Sequence, residues 1–186
     1  DLLMAPDSPV RARLDEVVVL RSEQGEQCYQ AGRPSEETVA ACKAILLPDE
    51  LVLARTLSLP LAAEGSLEQV IALEVNANSP FAADDTGHGW RVIGRSDSEL
   101  QVLLVIVSLS TSMTYLGRRH AIHEPHSQEV WAESDGELVV IKGFGEQLRE
   151  QRYRQRLLRC AGMVAGVAVL VMAGFAAAAA FKGAEA

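Results

Sequence analysis

The sequence predicts an α/β domain with a mixed β-sheet, followed by a single transmembrane helix. Three observations carry this. The stretch from Cys160 to Phe181, CAGMVAGVAVLVMAGFAAAAAF, has no charge and no strongly polar side chain. Upstream, β-branched runs such as LDEVVVLR (14–21) are interleaved with amphipathic segments such as 63–77, the alternation that builds a sheet covered by helices. The run LQVLLVIVSL (100–109) is apolar on both faces, as in a central strand covered from above and below.

The apolar stretch fits one membrane crossing. Its 22 residues give a helix of about 33 Å, against a hydrocarbon core of ~30 Å. Arg149, Arg152, Arg154, Arg156 and Arg159 precede it, and only Lys182 follows. That asymmetry places the N-terminal side in the cytoplasm. The expected organisation is a cytoplasmic α/β domain over 1–142, a basic juxtamembrane helix over 143–159, the span over 160–181 and the start of a periplasmic segment over 182–186. The five arginines read as anchors at the membrane surface. Gly162 and Gly166 form a GxxxG pattern, and Gly174 continues the small-residue spacing. Such spacing lets two helices approach closely and points to a homodimer, although twelve of the 22 residues are Ala or Gly, so composition alone also produces it.

In chain order, 14–21 reads as a strand, SEQGEQ as a turn, and Cys28 to Ala31 as the returning strand. Gly32-Arg33-Pro34 breaks the chain. Ser35 is expected to cap a helix with Glu36 and Glu37 in its first turn and Val39, Ala40 and Ala44 on its apolar side. Pro48-Asp49 signals a turn after Ile45 to Leu47. Leu51 to Leu59 then alternates as a strand, with Leu51, Leu53, Arg55, Leu57 and Leu59 on one face. The clearest helix is 63–77, with Leu67, Val70 and Ile71 on one stripe. Glu74 interrupts that stripe; it reads as an edge carboxylate paired to Arg55 or Arg91, or else as a partner contact. Ser79-Pro80-Phe81 stops the helix. Strands follow at 89–94 and 100–109, then a helix capped by Ser110 or Ser112 and running to about Ile122. A hairpin turns at Ser134-Asp135-Gly136. From Gly145 a charged helix enters the span without a break.

Several kinds of chemistry are excluded or weakly signalled. The chain carries 17 Lys and Arg against 25 Asp and Glu, a net charge of -8. That balance argues against nucleic acid, which needs a basic stripe to neutralise phosphates. There is no phosphate-binding loop of either glycine-rich type. Gly143-Phe144-Gly145 lacks a third glycine and reads as a hinge. His120, His123 and His126 form H-x-x-H-x-x-H, which on a helix could offer two zinc ligands. Pro125 interrupts that helix and no cysteine joins the group, so a solvated loop is the simpler reading. Cys28, Cys42 and Cys160 read as reduced thiols. Asp84-Asp85 reads as a loop pair or as an anion at a helix N-terminus. No nucleophile elbow is present. The expectation is a non-enzyme with no catalytic residue, no cofactor and no metal.

The segment LLPDELVLARTLSLPLAAEGSLEQVIALEVNANSPFAADDTGHGWRVI (46–93) carries a pattern. Leu47-Pro48 and Leu59-Pro60 bracket a strand. A helix with central Glu74 follows, then Pro80-Phe81, and Asp85 before the next strand. With GFGEQLREQRYRQRLLR leading into one span, this resembles the L protein of type II secretion inner-membrane platforms and the related N protein family of type IV pilus assembly. The resemblance implies an actin-like (ribonuclease-H-like) lobe that binds no nucleotide. It also implies a single-pass scaffold of the bacterial inner membrane, docking to the assembly ATPase and to a neighbouring bitopic platform protein of M or O type. Glu74, Phe81, Asp84 and Asp85 are the expected partner-binding residues. An unrelated single-pass anchor or signalling protein, or an actin-like nucleotide-binding protein, is the alternative.

Overall fold

Strand Glu99–Ser108 organises half of the molecule because both of its faces are apolar. The computed structural model describes residues 13–36 and 42–184. Nine strands are described: β1 (Val18–Ser22), β2 (Gly25–Gln30), β3 (Arg33–Pro34), β4 (Cys42–Leu46), β5 (Leu53–Pro60), β6 (Thr86–Arg95), β7 (Glu99–Ser108), β8 (Glu129–Ser134) and β9 (Glu137–Val140). The helices are α1 (Leu67–Asn78), α2 (Leu109–His120) and α3 (Glu146–Ala184). One sheet is three-stranded and antiparallel, in the order β5-β7-β6. Leu100, Val102, Leu104 and Ile106 of β7 face α1, packing with Leu67, Ile71 and Val75. Leu103, Val105 and Val107 face the other way, into a core shared with the second sheet and α2.

The second sheet is mixed and six-stranded, in the order β3-β2-β1-β4-β8-β9. β1, β2 and β3 run antiparallel; β1, β4 and β8 run parallel. Period-two alternation splits β4 between two cores. Ile45 joins the core between the sheets, while Ala44 packs on the opposite face with Val18, Leu20 and Trp131. The sheets meet where β6 passes β9. Gly89 lies so close to Val140 that a Cβ there would sit 2.1 Å from the Val140 carbonyl oxygen, and the Lys142 N–H donates to the His88 carbonyl at 2.7 Å.

Several expectations are corrected. The helix expected from Ser35 partly lies outside the described residues (37–41), but Ala44 belongs to β4. Ser35 donates its backbone N–H to the Cys28 carbonyl, prolonging the β2 ladder; the residues its side chain is expected to cap lie outside the described ones. α1 begins at Leu67, after a 3-10 turn over Leu61–Ser66. Its buried stripe is Leu67, Ile71 and Val75, so Val70 lies to the side. β5 is an edge strand; only Leu57 is buried, and Leu53 is 47% exposed. α2 is capped by Ser108, whose Oγ accepts the Thr111 N–H at 3.1 Å. The cap falls inside the apolar run because Ser108 ends β7 and starts α2 without a linker. The hairpin turn is where expected, with positive φ at Asp135 and Gly136 (53° and 78°), the pair of values a tight two-residue hairpin requires.

Ser112 sits wholly inside the domain, and its hydroxyl has no hydrogen-bond partner. A buried, unsatisfied hydroxyl costs about 1–3 kcal/mol. Ser112→Ala is therefore expected to raise the unfolding free energy by about 1 kcal/mol; a lower denaturation midpoint would show that the hydroxyl is in fact paired.

Candidate functional site: the junction of α3 with the domain

α3 is 39 residues long, about 58 Å. Two different surfaces lie along it. Met163, Val164, Val167, Leu170, Val171 and Met172 are exposed, and by length and composition the helix is able to cross a membrane. Its first turns are part of the domain. Tyr153 is fully buried, and so is Phe144 just before the helix.

Arg149, Arg152, Tyr153 and Arg156 follow one another at the i, i+3, i+4, i+7 spacing that shares a helix face. Opposite them stand Asp15 and Glu16, which lead into β1, and Glu129, which opens β8. All three carboxylates are buried. Arg149 bridges two of them, Nε to Glu129 Oε1 at 2.5 Å and Nη1 to Asp15 Oδ2 at 2.8 Å. Trp131 Nε1 donates to the other Glu129 oxygen at 2.8 Å, and the guanidinium lies 5.8 Å from the Trp131 ring centre. Glu16 takes Arg152 at 3.0 Å and Arg156 at 2.6 Å. Arg156 also donates to the Leu14 carbonyl at 3.2 Å. Among the described residues three guanidinium groups thus meet three carboxylates, and their charges balance. A cation left out of such a cluster would strand a buried charge.

Burial pushes the Glu129 carboxyl above its ordinary range, with Arg149 and Trp131 pulling the other way. Burial also works against the Arg149 charge, yet Glu129 and Asp15 hold its pKa above the usual value. For Glu16, burial raises the pKa, but the Cys42 thiol and the two arginines win and hold it below 4.5. Cys42, half-buried and donating to Glu16 Oε2 at 2.8 Å, is pushed up to about 12 by burial and that carboxylate. It is therefore a thiol, not a thiolate, at neutral pH.

A pH dependence follows. A carboxyl held below its ordinary pKa stabilises the fold above 4.5 and loses that contribution as pH falls through its folded value. Glu129, held above its ordinary range, acts in the opposite sense. Glu16→Gln is expected to flatten the decline of stability below about pH 4.5, measured by denaturant titration across pH. An unchanged acid limb would remove Glu16 from the account.

The arginines had been expected at lipid headgroups. The structure corrects this for Arg149, whose side chain is only 11% exposed, and gives Arg152 and Arg156 partners within the domain. Arg154 makes only a loose 3.7 Å pair with Glu150 of its own helix, and Arg159 is exposed. Gly162 and Gly166 have nothing within 4 Å of where a Cβ would stand. Gly174 lies on the same helix.

The four expected partner-binding residues are scattered around the smaller sheet. Glu74 pairs with Arg55 at 3.2 Å. Phe81 packs under α1. Asp84 is exposed. Asp85 caps α2, accepting the Ser110 N–H and the Ser108 hydroxyl, each at 2.7 Å; these bonds hold its pKa below the ordinary value. The histidines do not converge. His120 stacks edgewise on Tyr115, and His126 Nδ1 lies 3.1 Å from the Phe144 carbonyl. No group of three metal-binding side chains occurs among the described residues.

At the opposite end of the mixed sheet, the carboxyl ends of β1, β4 and β8 open into a cleft of about 690 Å³. In open sheets with parallel strands this is where ligands bind. Glu23, Asp49, Glu50, Glu133 and Asp135 line it, and no Lys or Arg does among the described residues.

The chain matches no protein-family model and no curated protein.

Proposed function

We propose that this chain is a bitopic inner-membrane scaffold of a type II secretion or type IV pilus-like assembly platform. Its cytoplasmic domain meets the assembly ATPase, and its span meets a neighbouring bitopic protein and a second copy of itself. The observation that carries the reading is the continuity of α3. One unbroken helix is locked into the domain by Arg149, Arg152 and Arg156 and continues into a stretch apolar enough to span a bilayer. A flexible tether would only localise the domain. A locked helix transmits its rotation and displacement to the span, which is what a scaffold linking a cytoplasmic motor to membrane parts needs.

Two further features support it. An antiparallel β3-β2-β1 meander extended by parallel β4 and β8 is the arrangement expected of a ribonuclease-H-like lobe. The cleft at the carboxyl ends of its parallel strands, where a nucleotide's phosphates would lie, is lined by carboxylates. No Lys or Arg among the described residues lines it to hold a phosphate directly.

The test is co-purification of the detergent-solubilised chain from its native envelope, with mass spectrometry of the eluate. A hexameric ATPase and a second bitopic protein are expected. A preparation containing neither would leave an unrelated single-pass anchor. Replacing Gly162 and Gly166 with Ile should weaken self-association in a membrane two-hybrid assay, because the bulk holds the helices apart. Unchanged association would sink pairing through this face.

A further inference from the structure

The cleft described above has a second property. Val52, just before β5, and Ala54, at its start, form one of its walls. β5 pairs with β7 on one side only and ends its sheet. Its outer edge has no strand partner among the described residues, so a row of backbone N–H and C=O groups starts at the cleft mouth. Such an edge is a template for an added strand.

The cleft itself selects for charge. Of its five carboxylates, Glu23 makes a 3.4 Å pair with Arg119. Asp49, Glu50, Glu133 and Asp135 make no ion pair among the described residues. Their field reaches the aromatic rings nearby. The Tyr29 phenol is raised by burial and then by Glu133, and that of Tyr115 by burial and then by Glu23. Leu20, Leu46, Pro48 and the Tyr29 ring supply an apolar floor. The chain's own arginine face is occupied by Asp15, Glu16 and Glu129 at the other end of the sheet. No Lys or Arg among the described residues lines the cleft.

We infer that the cleft is a docking site for an extended segment of a partner protein bearing lysine or arginine. The basic residues enter between the β1–β2 and β8–β9 turns, and the segment continues along β5 as a fourth strand of the smaller sheet. Carboxylates supply selectivity for charge, and the open edge supplies main-chain hydrogen bonds. The inference does not depend on the scaffold reading, since any single-pass protein with this domain would present the same cleft.

The experiment uses the full chain in nanodiscs of phosphatidylcholine, whose neutral headgroups do not capture a basic peptide. The probe is a fluorescent peptide of about eight residues, a usual strand length, alternating Lys and Val. A Glu–Val peptide and a Lys–Val peptide N-methylated at alternate backbone nitrogens serve as comparisons. The Lys–Val peptide is expected to bind at least tenfold more tightly than either. Glu50→Lys with Glu133→Lys, both exposed, one on the 3-10 turn before β5 and one near the end of β8, is expected to lower its affinity at least tenfold while leaving the thermal unfolding midpoint unchanged. Equal binding of Lys–Val and Glu–Val, or no effect of the double substitution, would overturn the docking site. Undiminished binding of the N-methylated peptide would overturn the added strand.

Discussion

Replacing Arg149 with methionine is expected to destabilise the domain by about 3–5 kcal/mol, the cost of breaking one side of a buried ion pair. The guanidinium is the cation shared by Asp15 and Glu129, and both carboxylates are buried. Methionine fills similar volume, so little of the loss comes from a cavity. The cost comes from Glu129 left without its counter-charge and from the loss of the Arg149 pair at Asp15. Glu129 offers partial escape. Its carboxyl is already held above the ordinary range, and without the arginine it rises further and takes up a proton. The variant should therefore recover relative to wild type as pH falls, the sign expected of a group whose folded pKa is raised. Adding Glu129→Gln should restore part of the loss at neutral pH, because Trp131 keeps an acceptor and one buried charge is gone. Denaturant melting followed by tryptophan fluorescence suits the test, since Trp131 lies against the guanidinium. Arg154→Met is the control: its partner lies at 3.7 Å on the surface, and exposed pairs are worth about 0–1 kcal/mol. Equal costs for the two substitutions would mean that α3 is not held by charge.

The pattern of that junction was present in the sequence but easy to misread. Five arginines beside an apolar stretch look like a membrane flank when only their sign is counted. Sorted by helical phase, Arg149, Arg152 and Arg156 share a face with Tyr153, while Arg154 does not. A buried aromatic in the middle of a charged face is the signal that the face is covered by protein. What covers it could not be read locally, because Asp15 and Glu16 are more than 130 residues away in sequence and meet α3 only through the order of the mixed sheet. Where a pattern closes on itself, the reading succeeded. The double-faced β7, the Ser134-Asp135-Gly136 turn and the unbroken α3 all rest on local periodicity or turn chemistry. The reading failed at Ala44, where a short, weakly patterned segment becomes a buried strand only because β1 and β8 flank it. It also failed at Leu53, where a good alternating pattern belongs to an edge with too little above it to cover the far end. The Glu74–Arg55 pair was among the anticipated options.

Gly145→Ala is the second substitution with a large expected effect, about 1–3 kcal/mol, the usual range of overpacking changes. Gly143-Phe144-Gly145 looked like a hinge, and the structure gives its last glycine a packing role. A Cβ on Gly145 would stand 2.6 Å from the Gln128 carbonyl carbon, 2.7 Å from its oxygen and 2.9 Å from its nitrogen. These are backbone atoms next to β8 and cannot rotate aside as a side chain would. The same glycine donates its N–H to the Gln128 carbonyl at 2.8 Å, so moving away costs that bond as well. Gln128 immediately precedes Glu129, and Gly145 lies four residues before Arg149. Any shift that relieves the clash therefore alters the distance across which Arg149 reaches Glu129. The loss should spread into the junction, raising hydrogen exchange through the first turns of α3 and shifting Trp131 emission. Gly162→Ala on the same helix meets nothing within 4 Å and should be neutral or slightly stabilising, since alanine favours a helix over glycine by about 1 kcal/mol. If Gly145→Ala left exchange in the first turns of α3 unchanged, close packing at Gln128 would not be what seats the helix, and the ionic cluster alone would have to position it.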